Sequence, residues 1–263
     1  MMIIDSGYVD VMGSKIYYQV AGNKEGKPLL MLHGGLGSMH ELTPIQQGLG
    51  QDFMLINVDL RGHGQSPLGH FPLSYQRYQQ DVEAVLRHLA IDRYAVFGFS
   101  DGGIVGYRLA AQQPNQVSHL ITLGAQWRYH ENDPGMQLLA SLTADFWRTR
   151  FAHDVALYER LNPQPHFTKL VDAVKQAWFD STGSGYPGQQ VTQIQCPTLV
   201  IRGDSDFIFS LAEAVALKAK ITNCHLANLP LATHGAHQEH PDLVGMMVQR
   251  FLSRSNKSLG RAA

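Results

Sequence analysis

Cysteine is the scarcest chemistry-bearing residue in this chain: only Cys196 and Cys224 occur among 263 residues, with no C-x-x-C spacing. Each opens an apparent strand, so buried free thiols are expected rather than a disulfide framework or a thiolate metal site, and a cytoplasmic location follows as the default. No apolar run approaches the roughly 20 residues that cross a bilayer, so no membrane partner is expected. Residues 1–11 contain Asp5 and lack the basic start of a signal peptide. The formal net charge is −1 and no block of like charges appears, which argues against nucleic acid as a partner. Neither an internal repeat nor a low-complexity segment is present. What the chain does have is 44% hydrophobic and 16% charged residues, enough for a full core, at a length suited to one α/β domain with an insertion.

Residues from about Tyr8 to Gly22 alternate between polar and apolar and read as one or two antiparallel strands. Apolar runs at 28–32, 53–58 and 94–99 read as buried strands, those at 117–123 and 197–201 as further apolar strands, and a strand is expected near 224–229. Amphipathic patterns at 75–91, 104–111 and 211–220, and a last one through about Leu252, read as helices between or after them; the tail after Ser253 is polar and expected to fray. Strands alternating with helices predict an α/β fold with a mostly parallel sheet, whose ligands bind at the strands' C-terminal ends. From Gly124 to about Ile194 the strand-like runs vanish, and helical patches rich in aromatics are broken by Pro134, Pro163, Pro165 and Pro187. That stretch is too long for a loop in a compact domain. It predicts a helical cap over 125–194, inserted into a core made of 1–124 and 195–263.

The chemistry centres on Gly98-Phe99-Ser100-Asp101-Gly102-Gly103, where an apolar run passes directly into a helical pattern. A serine on such a strand-to-helix turn is lifted clear of the sheet, and glycines at 98 and 102 let strand and helix close. Serine near neutral pH needs an imidazole to take its proton, and the imidazole needs a carboxylate to fix its tautomer. Asp204 or Asp206 follows one strand, and His234, His237 or His240 follows another. In an open parallel sheet these strand ends share an edge with Ser100. The oxyanion donors are expected to be the backbone N–H of Asp101 and one from the loop at 33–36, with Gly35 first choice. The histidine spacing lacks the i,i+4 pair and glutamate of a zinc hydrolase helix, so no metal is expected.

Five segments, HGGLGS (33–38), DLRGHGQSP (59–67), GFSDGG (98–103), RGDSDF (202–207) and THGAHQEHP (233–241), occur in order over essentially the whole chain. With them the sequence resembles the single-chain serine esterases of the α/β-hydrolase superfamily. The resemblance implies an eight-stranded sheet with a cap after the sixth strand, no cofactor, and a Ser100–His234–Asp206 triad. The family's spacing from the glycine selects Asp206, and its spacing to Pro241 selects His234. Thr233 stands where the family commonly has glycine. His33 and His63 are implied to brace loops.

GFSDGG is also similar to the motif of valacyclovir-hydrolase-like enzymes, which act on α-amino-acid esters. Asp101 would there favour a substrate amine, the alternative being a local cap or a salt bridge to Arg128 or Arg148. Among the cap aromatics Trp127, Phe146, Trp147, Trp178 and Phe179, some are expected to line the pocket. Leu36, Asp101, Trp127, Trp147 and Trp178 are the candidate substrate contacts. The leading expectation is hydrolysis of a small-molecule carboxylic ester through an acyl-enzyme. A lactonase or carbon–carbon bond hydrolase would keep the same triad. A cofactor-free perhydrolase commonly carries a proline that the 33–36 loop lacks, and a non-catalytic ligand-binding relative would commonly lose a triad member. Oligomeric state is not written in the sequence.

Overall fold

The computed structural model describes residues 1–253. Eight strands form one sheet: β1 (Ile3–Val11), β2 (Ser14–Gly22), β3 (Lys27–Leu32), β4 (Phe53–Val58), β5 (Tyr94–Phe99), β6 (Val117–Leu123), β7 (Thr198–Gly203) and β8 (Cys224–Leu229). Their spatial order is β1-β2-β4-β3-β5-β6-β7-β8. The pairs β1/β2 and β2/β4 are antiparallel, and every later pairing is parallel. The period-2 alternation of side chains divides the core. Leu30, Leu32 and Val96 enter one apolar cluster, while their neighbours Leu29, Met31, Ala95 and Phe97 enter the other. Both faces are therefore covered, and this is why β3 and β5 read as unbroken apolar runs rather than as alternating ones.

Helices α1 (Thr43–Leu49), α2 (Tyr75–His88) and α3 (Asp101–Gln112) connect the first strands. Helix α2 starts where the Ser74 side chain accepts the N–H of Arg77 at 3.1 Å. It stops three residues short of the sequence expectation. Ala90 turns left-handed at φ 54°, and Ile91 and Ala90 donate to the carbonyls of Leu86 and Arg87. These paired bonds close a helix end and occupy carbonyls that continued helix would otherwise have satisfied.

Between β6 and β7 lie α4 (Pro134–Ser141), α5 (Ala144–Arg150), α6 (Ala152–Leu161) and α7 (Phe167–Trp178). Asp133 and Thr143 cap α4 and α5 with side-chain oxygens. Among the polar anchors that tie this segment to the rest of the chain, three involve buried side chains close to the site. Asn162 Nδ2 lies 2.9 Å from the Gly64 carbonyl and 3.0 Å from that of Ser66. Buried Arg108 of α3 donates to the carbonyls of Gly183 and Gly185. The third anchor, Trp178, reaches Asp101. Helices α8 (Leu211–Lys218), α9 (Ala236–Glu239) and α10 (Pro241–Ser253) complete the described residues. No helix among them is long and apolar enough to cross a membrane.

Candidate active site

Ser100 sits between β5 and α3 with φ 48° and ψ −116°, a conformation that a residue bearing a Cβ rarely adopts. The glycines on either side make it possible. A Cβ on Gly98 would collide with the Gly102 carbonyl, and one on Gly102 would collide with the carbonyl of Leu32. The chain enters the turn with the Ser100 N–H donating to Leu123 O at 2.9 Å, and Gly103 and Ile104 donate back to Ser100 O.

The three residues singled out in sequence meet here. His234 Nε2 lies 3.1 Å from Ser100 Oγ, and its Nδ1 lies 3.0 and 3.1 Å from the two Asp206 oxygens. A carboxylate only accepts, so Nδ1 carries the proton and Nε2 is left to accept from the serine hydroxyl. Asp206 is buried, which by itself would raise its pKa. The charge and ring N–H of His234, with the N–H groups of Phe209 and Ile208, outweigh burial and hold the carboxyl below the usual aspartate range. Asp204 is exposed. The His237 ring is buried 4.3 Å from that of Phe99, and His240 turns to the Leu231 carbonyl. Among the described residues, no three His, Cys, Asp or Glu side chains are grouped in a way that would hold a metal ion.

Four N–H groups of the glycine-rich loop have distinct fates. That of Gly34 donates to Glu41 Oε1, that of Leu36 to His63 Nε2 at 3.0 Å, and that of Gly37 to Gly34 O at 3.3 Å. The N–H of Gly35 has no partner among the described residues, nor does that of Asp101 at the start of α3. His33 donates from Nδ1 to Gly34 O at 2.7 Å and accepts Leu60 N–H on Nε2 at 2.9 Å. Burial pushes His33 down to about 3 and His63 down to about 4, so both rings stay neutral while they brace these loops.

A cavity of about 1110 Å³ opens beside Ser100, lined by Leu36, Trp147, Trp178, Phe146, Asp101 and Tyr75 among others. Trp127 is a correction to the sequence reading. Its ring is fully buried away from this cavity, between the Arg128 guanidinium at 4.7 Å and the Lys220 ammonium at 5.5 Å. Phe179 packs on the core instead of lining the cavity. Asp101 is bonded to neither arginine. Arg128 pairs with Glu213 and Arg148 with Asp145, whereas the Asp101 carboxyl accepts from Tyr75 Oη at 3.1 Å and from Trp178 Nε1 at 3.0 and 3.1 Å. Burial pushes it up to about 6, against those two hydrogen bonds. Glu41, Tyr75 and Tyr186 on the cavity wall went unread in the sequence. The tyrosines sit at apolar-face or loop positions where only a core role is visible. Glu41, eight residues past His33, had proximity to the loop as its one signal.

The sequence pattern of the alpha/beta hydrolase fold matches residues 27–173. Serine hydrolase BPHL of Mus musculus is 27% identical, over 95% of this chain and 87% of its own. Proline iminopeptidase PfmaB of Pestalotiopsis fici is 23% identical, over 94% and 99%. The solved enol-lactonase of Burkholderia xenovorans superposes with a TM-score of 0.76 at 22% identity, over 94% of this chain and 100% of that one. With this sheet order and this strand-to-helix turn, the chain belongs to the α/β-hydrolase family of enzymes.

Proposed function

We propose that the protein hydrolyses carboxylic esters of small molecules through an acyl-enzyme formed on Ser100. The observation that carries this reading is the continuous chain from Ser100 Oγ through His234 to Asp206, with bonds of 3.1 and 3.0 Å. His234 Nε2 takes the hydroxyl proton as Oγ attacks the carbonyl carbon. The N–H groups of Gly35 and Asp101 receive the oxyanion, and Asp206 stabilises the imidazolium. On collapse the leaving alcohol takes that proton. Water, deprotonated by the same ring, then releases the acid. Segment 125–194 serves in this scheme as the cap that closes the acyl pocket. The named relatives include a serine hydrolase, in keeping with this chemistry. An aspartate-nucleophile dehalogenase or epoxide hydrolase would need a carboxylate where Ser100 stands.

Turnover of p-nitrophenyl esters of increasing acyl length tests the reading, with Ser100→Ala as control. Wild type is expected to turn over short esters, and the variant to lose about 10⁴–10⁶-fold in kcat. Turnover that survives the substitution overturns it.

A finer reading is selectivity for amine-bearing esters. Asp101 supports it, being a carboxyl on the cavity wall whose hydrogen-bond partners are both neutral. A substrate ammonium would supply the missing opposite charge.

A further inference from the structure

Glu41 belongs to a single 3₁₀ turn, Met39–Leu42, directly after the glycine-rich loop, and its side chain reaches back to take the Gly34 N–H. The carboxyl lies on the cavity wall with no Lys, Arg or His within salt-bridge distance among the described residues. On one side it is crowded by the loop: a Cβ on Gly37 would come within 2.6 Å of Glu41 Oε2. A carboxyl held this closely at the edge of a catalytic cavity, without a cationic partner, calls for a reason.

The peptide geometry of the loop supplies one. A trans peptide is planar, so its N–H points opposite to its C=O. The Gly34 carbonyl is fixed by His33 Nδ1 at 2.7 Å and by the Gly37 N–H at 3.3 Å, which sets the direction of the next N–H, that of Gly35. The remaining freedom at Gly34 is rotation about its own φ and ψ, and glycine restricts neither. Glu41 removes that freedom by holding the Gly34 N–H. The Gly35 backbone is then pinned against the nucleophile turn, where a Cβ on Gly35 would lie 2.5 Å from Asp101 Oδ2 and 3.1 Å from the Trp178 ring.

We propose that Glu41 is a positioning residue for the oxyanion hole, aiming the Gly35 N–H at the reacting carbonyl oxygen through the hydrogen bond that it takes from Gly34. This rests on the serine-hydrolase reading above. The protonation state of the carboxyl also bears on the chemistry. Burial pushes Glu41 up to about 8, with Asp154 of α6, Asp101 of α3 and Asp59 after β4 adding to it and the Gly34 N–H opposing it. His40, Arg150 and His153 line the same cavity. Near neutral pH the carboxyl accepts through its C=O and brings no negative charge to the site. Above about pH 8 it ionises beside the place where the oxyanion forms, and like charges in a partly desolvated cavity repel.

The test compares wild type with Glu41→Gln and Glu41→Ala on p-nitrophenyl acetate from pH 6 to 10. Glutamine keeps the C=O acceptor in the shape of the neutral acid. Glu41→Ala is expected to lower kcat about 10–100-fold, with KM within about threefold of wild type, because the lost contact acts in the transition state. Glu41→Gln is expected to keep kcat within about threefold at pH 7. It should also lack the decline in kcat that wild type shows above about pH 8. Wild-type kcat in Glu41→Ala overturns the proposal, as does a decline above pH 8 that persists unchanged in Glu41→Gln. If alanine prevents folding, the glutamine pH profile alone decides. Failure of wild type itself to turn over any ester counts instead against the hydrolase reading, so the two failures are distinguishable.

Discussion

Asp101 is asked to do two things with different parts of one residue. Its backbone N–H opens α3 beside Ser100, while its carboxyl points along the cavity wall to Tyr75 and Trp178. Substitution of the side chain alone separates them. Asp101→Asn keeps the N–H and one acceptor oxygen, so turnover of a plain ester is expected to stay within about fivefold. A carboxylate-to-ammonium hydrogen bond is worth about 1.5–3 kcal/mol, so the same change should erase about 10–100-fold of any preference for an α-amino ester over its desamino partner. The carboxyl sits at about 6, so that preference should grow between pH 5 and 7 as the group ionises. Matched esters assayed with both proteins give the answer. Equal rates on the pair in wild type remove the amine reading and leave Asp101 as the anchor that holds Trp178.

At the scale of elements, the segment between β6 and β7 is tied to the rest of the chain by side-chain hydrogen bonds, and Asn162 makes a concentrated set of them. One side-chain amide serves the carbonyls of Gly64 and Ser66, both in the loop that follows β4. Asn162 is 5% exposed, so truncation strands those carbonyls away from water. Asn162→Ala is expected to destabilise the protein by about 2 kcal/mol, read as a lower denaturant midpoint at unchanged slope. An unchanged midpoint would mean that α6 is held by packing alone. No such contact was legible in the sequence, where Asn162 is one polar residue at the end of a helical patch. The same limit explains the other omissions. Helix α1 has seven residues, too few to display a period, and β1 begins at Ile3 as a largely exposed edge strand with little alternation to betray it. Strands β5, β6 and β7, by contrast, lie within a residue or two of where the apolar runs put them, because burial on both faces leaves a continuous signal. The strand ends that carry Ser100, Asp206 and His234 were legible for a related reason, since topology brings those ends together, while the choice of Asp206 over Asp204 and of His234 over His237 or His240 came from the family resemblance. The surroundings of Asp101 depend on how α7 lies across the sheet edge, and no local pattern encodes that. Trp127 illustrates the same gap, since an aromatic four residues past a strand end is equally placed, by sequence, to face the cavity or the core.

For the whole molecule, buried titratable groups of opposite kind set how stability responds to pH. Burial lowers His33, His63 and His237 to about 3, 4 and 3, so each resists protonation in the folded chain. Their contribution is present above the unfolded histidine value near 6.5 and is lost as pH falls toward 3 to 4. Asp59 and Asp101, each raised to about 6, and Glu41, raised to about 8, act in the reverse sense. Their stabilising protonated forms are fully present below the unfolded carboxyl values and are lost as pH climbs through the folded ones. Between about pH 4 and 6 the three histidines and three carboxyls oppose each other nearly one for one. By about pH 7.5 the unfolded histidines and both folded aspartates are largely deprotonated, and Glu41 alone among these six still takes up substantially more protons folded than unfolded. Stability should therefore decline from about pH 7 to 8.5. One proton amounts to about 1.4 kcal/mol per pH unit. Glu41 is partly open to the cavity, which screens its charge, so the net decline expected is about 1 kcal/mol. Glu41→Gln removes the titrating group without removing the acceptor, and melting temperatures of the variant should be flatter than wild type across that interval. A wild-type decline that the glutamine variant reproduces in full would assign it to groups other than Glu41.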